Sequence, residues 1–340
     1  MVDSVAQLHR QAIIIDGHND SLPLRLERGD SLDLGLVAPR YHVDLPRMLQ
    51  GGLTAMMTYV GGRDLPVSLE LWQGLLSNVE SHPELVLGQS AAALHETKAR
   101  GQIALIPQLE SCSCLGHRLG ALELMARLGL RVANLTHGEG LDQHETALQV
   151  DSSEFGYCTA AEREAARREL RGLTDFGREV IAAASELNII VDLAHANDRT
   201  FYETLEASAR PCIFSHGCVF AICPHWRGLT DDQIRALAAN GGVMGVAFYR
   251  KFIDPEAPSM DRLLDQVEHV LELVGPDHLG FGADYDGLPE GEVPIPPEVG
   301  HLQEFTAALL GRGLDEETVL KILGGNYLRV MATVCGPAPA

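Results

Sequence analysis

The sequence predicts a (β/α)8 barrel of the TIM type, with loop insertions and extra C-terminal helices. Eight short apolar, β-branched runs recur along the 340 residues, at 13–16, 53–59, 103–109, 131–136, 189–193, 211–215, 242–247 and 279–283. Runs of this length and composition read as buried strands. Between most of them lie Ala-, Leu-, Glu- and Arg-rich amphipathic stretches, the alternation expected of parallel strands joined by helical crossovers. A doubly wound open sheet competes, but no Gly-rich phosphate loop follows the first strand.

Strand one, Ile13-Ile14-Ile15, runs directly into Asp16-Gly17-His18-Asn19-Asp20. The connection to strand two is long and carries Gly, Pro and charge, which predicts a loop insertion. Helices are expected at 116–128, 174–187, 230–239 and 258–274. At 230–239, Thr230-Asp231-Asp232 supplies a cap with an acidic first turn, and Asn240-Gly241-Gly242 supplies the stop. The segment 160–171, with Glu and Arg interspersed, reads as a solvated helix face. Helices at 301–311 and 315–332 close the chain. Barrels of this length commonly form one domain, so residues 1–340 are expected to do so, with a short Pro/Ala tail at 336–340.

A hydrophobic content of 46% is enough for a large core. Acidic residues (47) outnumber basic ones (26), for a net charge of -21, which argues against nucleic acid and anionic membranes as partners. No apolar run approaches the roughly 18 residues of a membrane span. Met1-Val2-Asp3-Ser4 opens no signal pattern, and Cys335 to Ala340 carries no anchor signal. Seven cysteines suit a reducing compartment, so a cytoplasmic location is expected. Cys112 and Cys114 lack the usual CxxC zinc spacing. With Cys212, Cys218 and Cys223 they read as packed thiols.

In barrel enzymes the chemistry sits where strands end and βα loops begin. Here those positions hold His18 and Asp20 after strand one, Glu110 after strand three and His137 after strand four. His195, His216 and Asp284 follow strands five, six and eight. Alternation points His18 and Asp20 the same way, and imidazole plus carboxylate suits zinc. His18 and Asp20 would then hold one zinc ion, His195 and His216 a second, with Glu110 bridging them. Two such ions, about 3.5–4 Å apart, share a water and lower its pKa towards 7, which makes it a nucleophile. Asp284 is suited to take that water's proton and pass it to a leaving group. His137 is left to polarise a substrate oxygen from the opposite side. A carboxylated lysine is not the expected bridge, because none of Lys98, Lys251 and Lys321 stands at a suitable strand end.

Residues 16–20 (DGHND), 191–195 (VDLAH), 214–216 (FSH) and 282–287 (GADYDG) also carry a resemblance. With Gly241-Gly242-Val243-Met244, Phe248-Tyr249 and the run from Gly324 to Val330, they resemble the membrane (renal) dipeptidase family of the amidohydrolase superfamily. The similarity runs in order from about residue 7 to 332. It implies a zinc-dependent barrel hydrolase of dipeptides, tolerant of a D-configured C-terminal residue, and a homodimer. It also implies substrate contacts for His137, within Asn134-Leu135-Thr136-His137, and for Tyr249. Arg227, in Cys223-Pro224-His225-Trp226-Arg227-Gly228, would bind the substrate carboxylate, a task its planar fork suits.

Three departures leave the metal set untouched but bear on the substrate. Ser111-Cys112 stand where the family has two glycines, Gly138 to His144 lacks a Trp-containing pattern, and Gly228 replaces an Asn. Another carboxylate-bearing amide, a lactam or a lactone is therefore the alternative substrate class. A barrel retained only for small-molecule binding would show a lost ligand or a lost Asp284, and every such position is filled. Glu139 and Asp142, close to His137, would attract a basic residue in the dipeptide.

Overall fold

A computed structural model of the chain describes residues 2–62, 64–137, 156–167 and 171–336. Eight parallel strands form the predicted barrel: β1 Ile15–Asn19, β2 Ala55–Tyr59, β3 Ile103–Leu109, β4 Val132–Asn134, β5 Ile190–Asp192, β6 Ile213–Val219, β7 Val243–Val246 and β8 Leu279–Phe281. Each pairs with the next in chain order. The ring closes at its upper rim, where Asp284 N–H donates to the His18 carbonyl and Asp20 N–H to that of Tyr285. Below, Asp16 accepts from Ala283 N–H at 2.7 Å and so ties β1 to β8.

Strand alternation sorts the side chains into two cores. Met56, Leu105, Ala133, Val191 and Met244 pack outward against the helices. Ile15, Met57, Ile106, Val132, Ile190, Ile213 and Val243 face the opposite way and cluster with Tyr327. Tyr327 comes from the C-terminal helix Asn326–Val334 and donates its hydroxyl to the Ser215 carbonyl at 3.1 Å. Gly17, Gly245 and Gly280 make room for it, because a Cβ at any of them would collide with the phenol. The barrel floor is thus closed by the C-terminal helix, whose Tyr327, Val330, Met331 and Val334 join the strand residues in one cluster.

Two expectations need correction. The C-terminal stretch 315–332 is not one helix: Glu316–Leu320 and Asn326–Val334 flank a distorted turn, Lys321–Gly325. Gly324 lies so close to the Ile13 carbonyl that no Cβ fits, so the chain bends where it passes under β1. Within 160–171, the helix Ala160–Arg167 is not merely a solvated face, because Arg163 is buried. Its guanidinium forms a fork on Asp198 at 2.6 and 3.1 Å, donates to the Gly228 carbonyl and lies over the Phe220 ring.

The first connection contains two short helices, Ser21–Glu27 and Leu45–Gln50, within its loops. Helices Val2–Gln11, Leu65–Ser81 and Ala91–Arg100 were not anticipated, nor were two short strands outside the ring. Leu85–Leu87 pairs with the first half of β3, and Gly228–Leu229 pairs with the end of β6. The seven cysteines are buried and unbridged. Among the described residues no helix is long and apolar enough to cross a membrane. Glu139, Asp142 and the tail residues 337–340 lie outside the described residues.

Candidate metal centre

Local irregularities at the strand ends aim the site's side chains. The β1 ladder slips between Asp16 and Asn19, and the β6 ladder between Phe214 and Gly217. Such breaks re-aim side chains; here they bracket His18 and His216, whose rings stack with centroids 4.0 Å apart. His195 and Asp284 have φ of 63° and 60°, left-handed values that are uncommon for residues other than glycine. A chain turning that sharply as it leaves β5 and β8 delivers both side chains into the same space. Gly287 packs so tightly on the Asp20 and Asp284 carboxylates that a side chain there would displace them.

Glu110, at the end of β3, is the hub. Its Oε1 lies 3.2 Å from His18 Nε2 and 3.1 Å from His195 Nε2. The same oxygen is 3.8 Å from the Nε2 atoms of both His137 and His216. Asp20 Oδ2 is 3.1 Å from His18 Nε2, and the two facing Nε2 atoms of His195 and His216 are 3.2 Å apart. Among the described residues, donor atoms fall into three overlapping groups able to hold a cation: His18 with Asp20 and Glu110, Glu110 with His137 and His195, and His18 with His216 and Asp284. His137, reserved by the sequence for the substrate, therefore also comes within reach of Glu110. Apart from His137, these side chains are nearly or fully buried.

Three buried residues that the sequence reading passed over orient the imidazoles. Gln108 Oε1 is 2.9 Å from His18 Nδ1, and its amide nitrogen donates to Asp192 Oδ2 at 3.0 Å. Ser215 Oγ is 2.8 Å from His216 Nδ1, and its backbone N–H donates to Asp192 Oδ1 at 2.9 Å. A polar residue inside an otherwise apolar strand was the available signal: Gln108 in Ile103–Leu109 and Asp192 after Ile190-Val191. With their Nδ1 atoms so engaged, His18 and His216 turn Nε2 towards the carboxylates.

Proton affinities are spread apart. Burial pulls the His18 imidazole down, but Asp20 and Glu110 outweigh it and hold it well above its usual range. Burial pushes Glu110 up, yet His18 and His137 outweigh that and hold it well below the usual carboxylate range. Asp20 is pushed up to about 7, by burial and then by the Glu110 charge. Asp284 is raised as well, with burial the largest cause. Burial, with His18 and Arg227 nearby, holds His216 well below its usual range.

The cluster opens into a cavity of about 510 Å³, whose lining includes Asp20, Glu110, His137, His195, His216, Asp284, Arg227 and Tyr249. Every site residue expected from the sequence therefore meets here, His18 lying just beneath. Arg227 is buried, delivered beside β6 by the Gly228–Leu229 strand, and donates to the His216 carbonyl at 3.3 Å. Its guanidinium lies over Phe252, whose ring packs edge-on against Tyr249. A larger cleft of about 620 Å³, lined by Leu32, Asp33, Leu69 and Gln73, lacks any such convergence of imidazoles and carboxylates.

Imidazoles and carboxylates converging at the carboxyl ends of the strands place the chain in the class of (β/α)8 barrels with a candidate metal centre. Within that class the chain belongs to the membrane dipeptidase family, peptidase family M19, whose model matches residues 2–336. It is 32% identical over 265 residues to dipeptidase ataJ of Aspergillus terreus, covering 75% of this chain and 64% of that protein. It is 30% identical over 313 residues to dipeptidase tcpJ of Claviceps purpurea, covering 86% of this chain and 69% of that one. The match thus spans about two thirds of the length of these relatives. Among solved structures, dipeptidase AC, a metallopeptidase of family M19, superposes with a TM-score of 0.81 at 25% identity, covering 96% of this chain and 99% of its own. An amidohydrolase from Pseudomonas aeruginosa shares the fold, with a TM-score of 0.81 at 22% identity over 98% and 99% of the two chains.

Proposed function

We propose that this chain is a binuclear zinc dipeptidase that hydrolyses the peptide bond of dipeptides, including those with a D-configured C-terminal residue. Glu110, one carboxylate set among four imidazoles, carries this reading. His18 and Asp20 would hold one zinc ion and His195 and His216 the second, with Glu110 shared. Nitrogen and carboxylate donors of this kind suit zinc, and the Nδ1 bonds of His18 and His216 leave both Nε2 atoms facing the cluster. When bound, such a pair of ions supplies Lewis acidity, lowering the pKa of water towards 7 and polarising a carbonyl oxygen.

The chain's own residues do the rest. Asp284, buried at the rim of the cluster, accepts the proton of the attacking water and returns it to the leaving amine. His137, about a quarter exposed, donates a hydrogen bond to the carbonyl oxygen as charge develops there. Arg227 presents its fork to the C-terminal carboxylate, and Tyr249 flanks it on the cavity wall. Family membership, and relatives named as dipeptidases, support the same activity. The proposal includes a single-domain cytoplasmic homodimer that acts on free small substrates and engages neither nucleic acid nor membrane.

Ser111-Cys112 beside Glu110 favour the second reading, another carboxylate-bearing amide, lactam or lactone. A kcat/KM panel of L,L and L,D dipeptides, their C-terminal amides, and lactams and lactones bearing a carboxylate separates the two. Wild type should hydrolyse dipeptides and strongly prefer the free acid. Arg227→Met should lose that preference, at a cost of about 2–5 kcal/mol on the free acid. Turnover of the lactams or lactones alone would replace the dipeptidase reading, and equal wild-type rates on acids and amides would remove Arg227 from substrate binding.

A further inference from the structure

Asp192 lies below the cluster, at the end of β5, and touches none of the five residues proposed as ligands. Both its oxygens are nevertheless committed towards them. Oδ2 accepts from the Gln108 amide at 3.0 Å, which fixes that amide with Oε1 facing His18 Nδ1 at 2.9 Å. Oδ1 accepts the backbone N–H groups of Ser215 and Ala194 at 2.9 and 3.0 Å. The Ser215 hydroxyl also bonds to this carboxylate, leaving its oxygen to accept from His216 Nδ1 at 2.8 Å. Asp192, Gln108 and Ser215 are all buried, so no water competes for these bonds.

We infer that Asp192 is a positioning residue that sets the tautomer of two histidines at once, His18 through Gln108 and His216 through Ser215. Each chain of bonds has only one consistent proton arrangement. A carboxylate cannot donate, so Gln108 must turn its NH2 to Asp192 and its oxygen to His18. The neutral His18 ring that binds metal then carries its proton on Nδ1 and offers a bare Nε2. Ser215, donating to Asp192, likewise holds the His216 proton on Nδ1. One buried negative charge thereby aligns one ligand of each proposed metal position. The inference rests on the two-zinc reading of the site.

Asp192→Asn tests the polarity directly. The new NH2 faces that of Gln108, which must turn over and offer its own NH2 to His18 Nδ1. His18 is then forced into the tautomer with the proton on Nε2, where it cannot bind metal. Zinc affinity at the weaker-held position, measured by competition with a chromogenic chelator, should fall about 10–100-fold, the usual cost of losing such a partner. Adding Gln108→Glu to Asp192→Asn exchanges the amide and the carboxylate. His18 Nδ1 then again meets an acceptor that bonds to residue 192, and affinity should recover most of the loss.

Simple loss of packing is not repaired by that second change, so recovery separates polarity from bulk. If Asp192→Asn fails to fold, Gln108→Met and Ser215→Ala each remove one arm and should each weaken one zinc. Wild type binding two zinc ions while these variants bind them equally well, or a double variant no better than Asp192→Asn, overturns the positioning role. Wild type binding one ion or none overturns the two-zinc reading itself, and the two failures are told apart by that control.

Discussion

At the scale of single residues, the cavity separates two carboxylates by their surroundings. Glu110 is held well below the usual range, because its histidines outweigh its burial, while Asp284 is raised, chiefly by burial. Carboxylates pushed apart in this way take different roles, one a fixed charge and the other a proton carrier. Asp284→Asn should therefore keep both metals but lose turnover by about 10²–10⁴-fold, since an amide cannot take the proton. Elemental analysis and kcat measured on the same preparation check this. A fall in kcat below about tenfold at normal occupancy would assign the base elsewhere. The imidazoles and carboxylates of this site were legible because each stands at or just past the end of an apolar run, where polar groups are conspicuous, whereas Arg227 and Tyr249 were legible only through the family resemblance. Gln108, Asp192 and Ser215 were not legible, because a polar residue within a strand reveals its partner only once the barrel sets β5 beside β6 and two places from β3.

At the scale of elements, the helix Ala160–Arg167 shows what its charge pattern concealed. Arg163 and Arg167 both reach Asp198 at the start of the helix Asp198–Ala207, and Gln233 donates to the same carboxylate at 3.0 Å. Burial pushes the Asp198 carboxyl up, but Arg163 and Arg167 outweigh it and hold it below the usual range. Its contribution to stability is therefore complete above the ordinary carboxylate pKa of about 4, and it is lost as pH falls through the lower folded value. Asp198→Asn leaves Arg163 buried without its partner and should cost about 3–5 kcal/mol. Urea unfolding at pH 7 measures that difference, which should shrink when the comparison is repeated in acid. A cost below about 1 kcal/mol at pH 7 would show the pair to be incidental. Alternating Glu and Arg cannot distinguish a solvated face from one arginine turned inward, because the deciding partner lies 35 residues on.

At the scale of the whole molecule, the barrel was legible from rhythm alone: eight β-branched runs separated by crossovers. Its floor was not. Gly17, Gly245 and Gly280 look like weak points in their strands until Tyr327 is seen to occupy the space they leave. The break at Gly324 follows from the same packing, since the chain must pass against the Ile13 carbonyl to bring that tyrosine in. A close approach between residue 13 and residue 324 has no signature in local sequence. By contrast, the five proposed ligands come from four different strand ends, β1 supplying two of them, so ring closure is what makes the centre. The central claim is that this centre works only when filled by two ions and that its work is dipeptide hydrolysis. Titrating zinc into chelator-stripped protein while following hydrolysis of a free dipeptide tests it most directly. Activity should rise from background and level off at about two equivalents per chain, as a shared two-metal site requires; full activity at one equivalent or none, or no dipeptide hydrolysis at two, would contradict it.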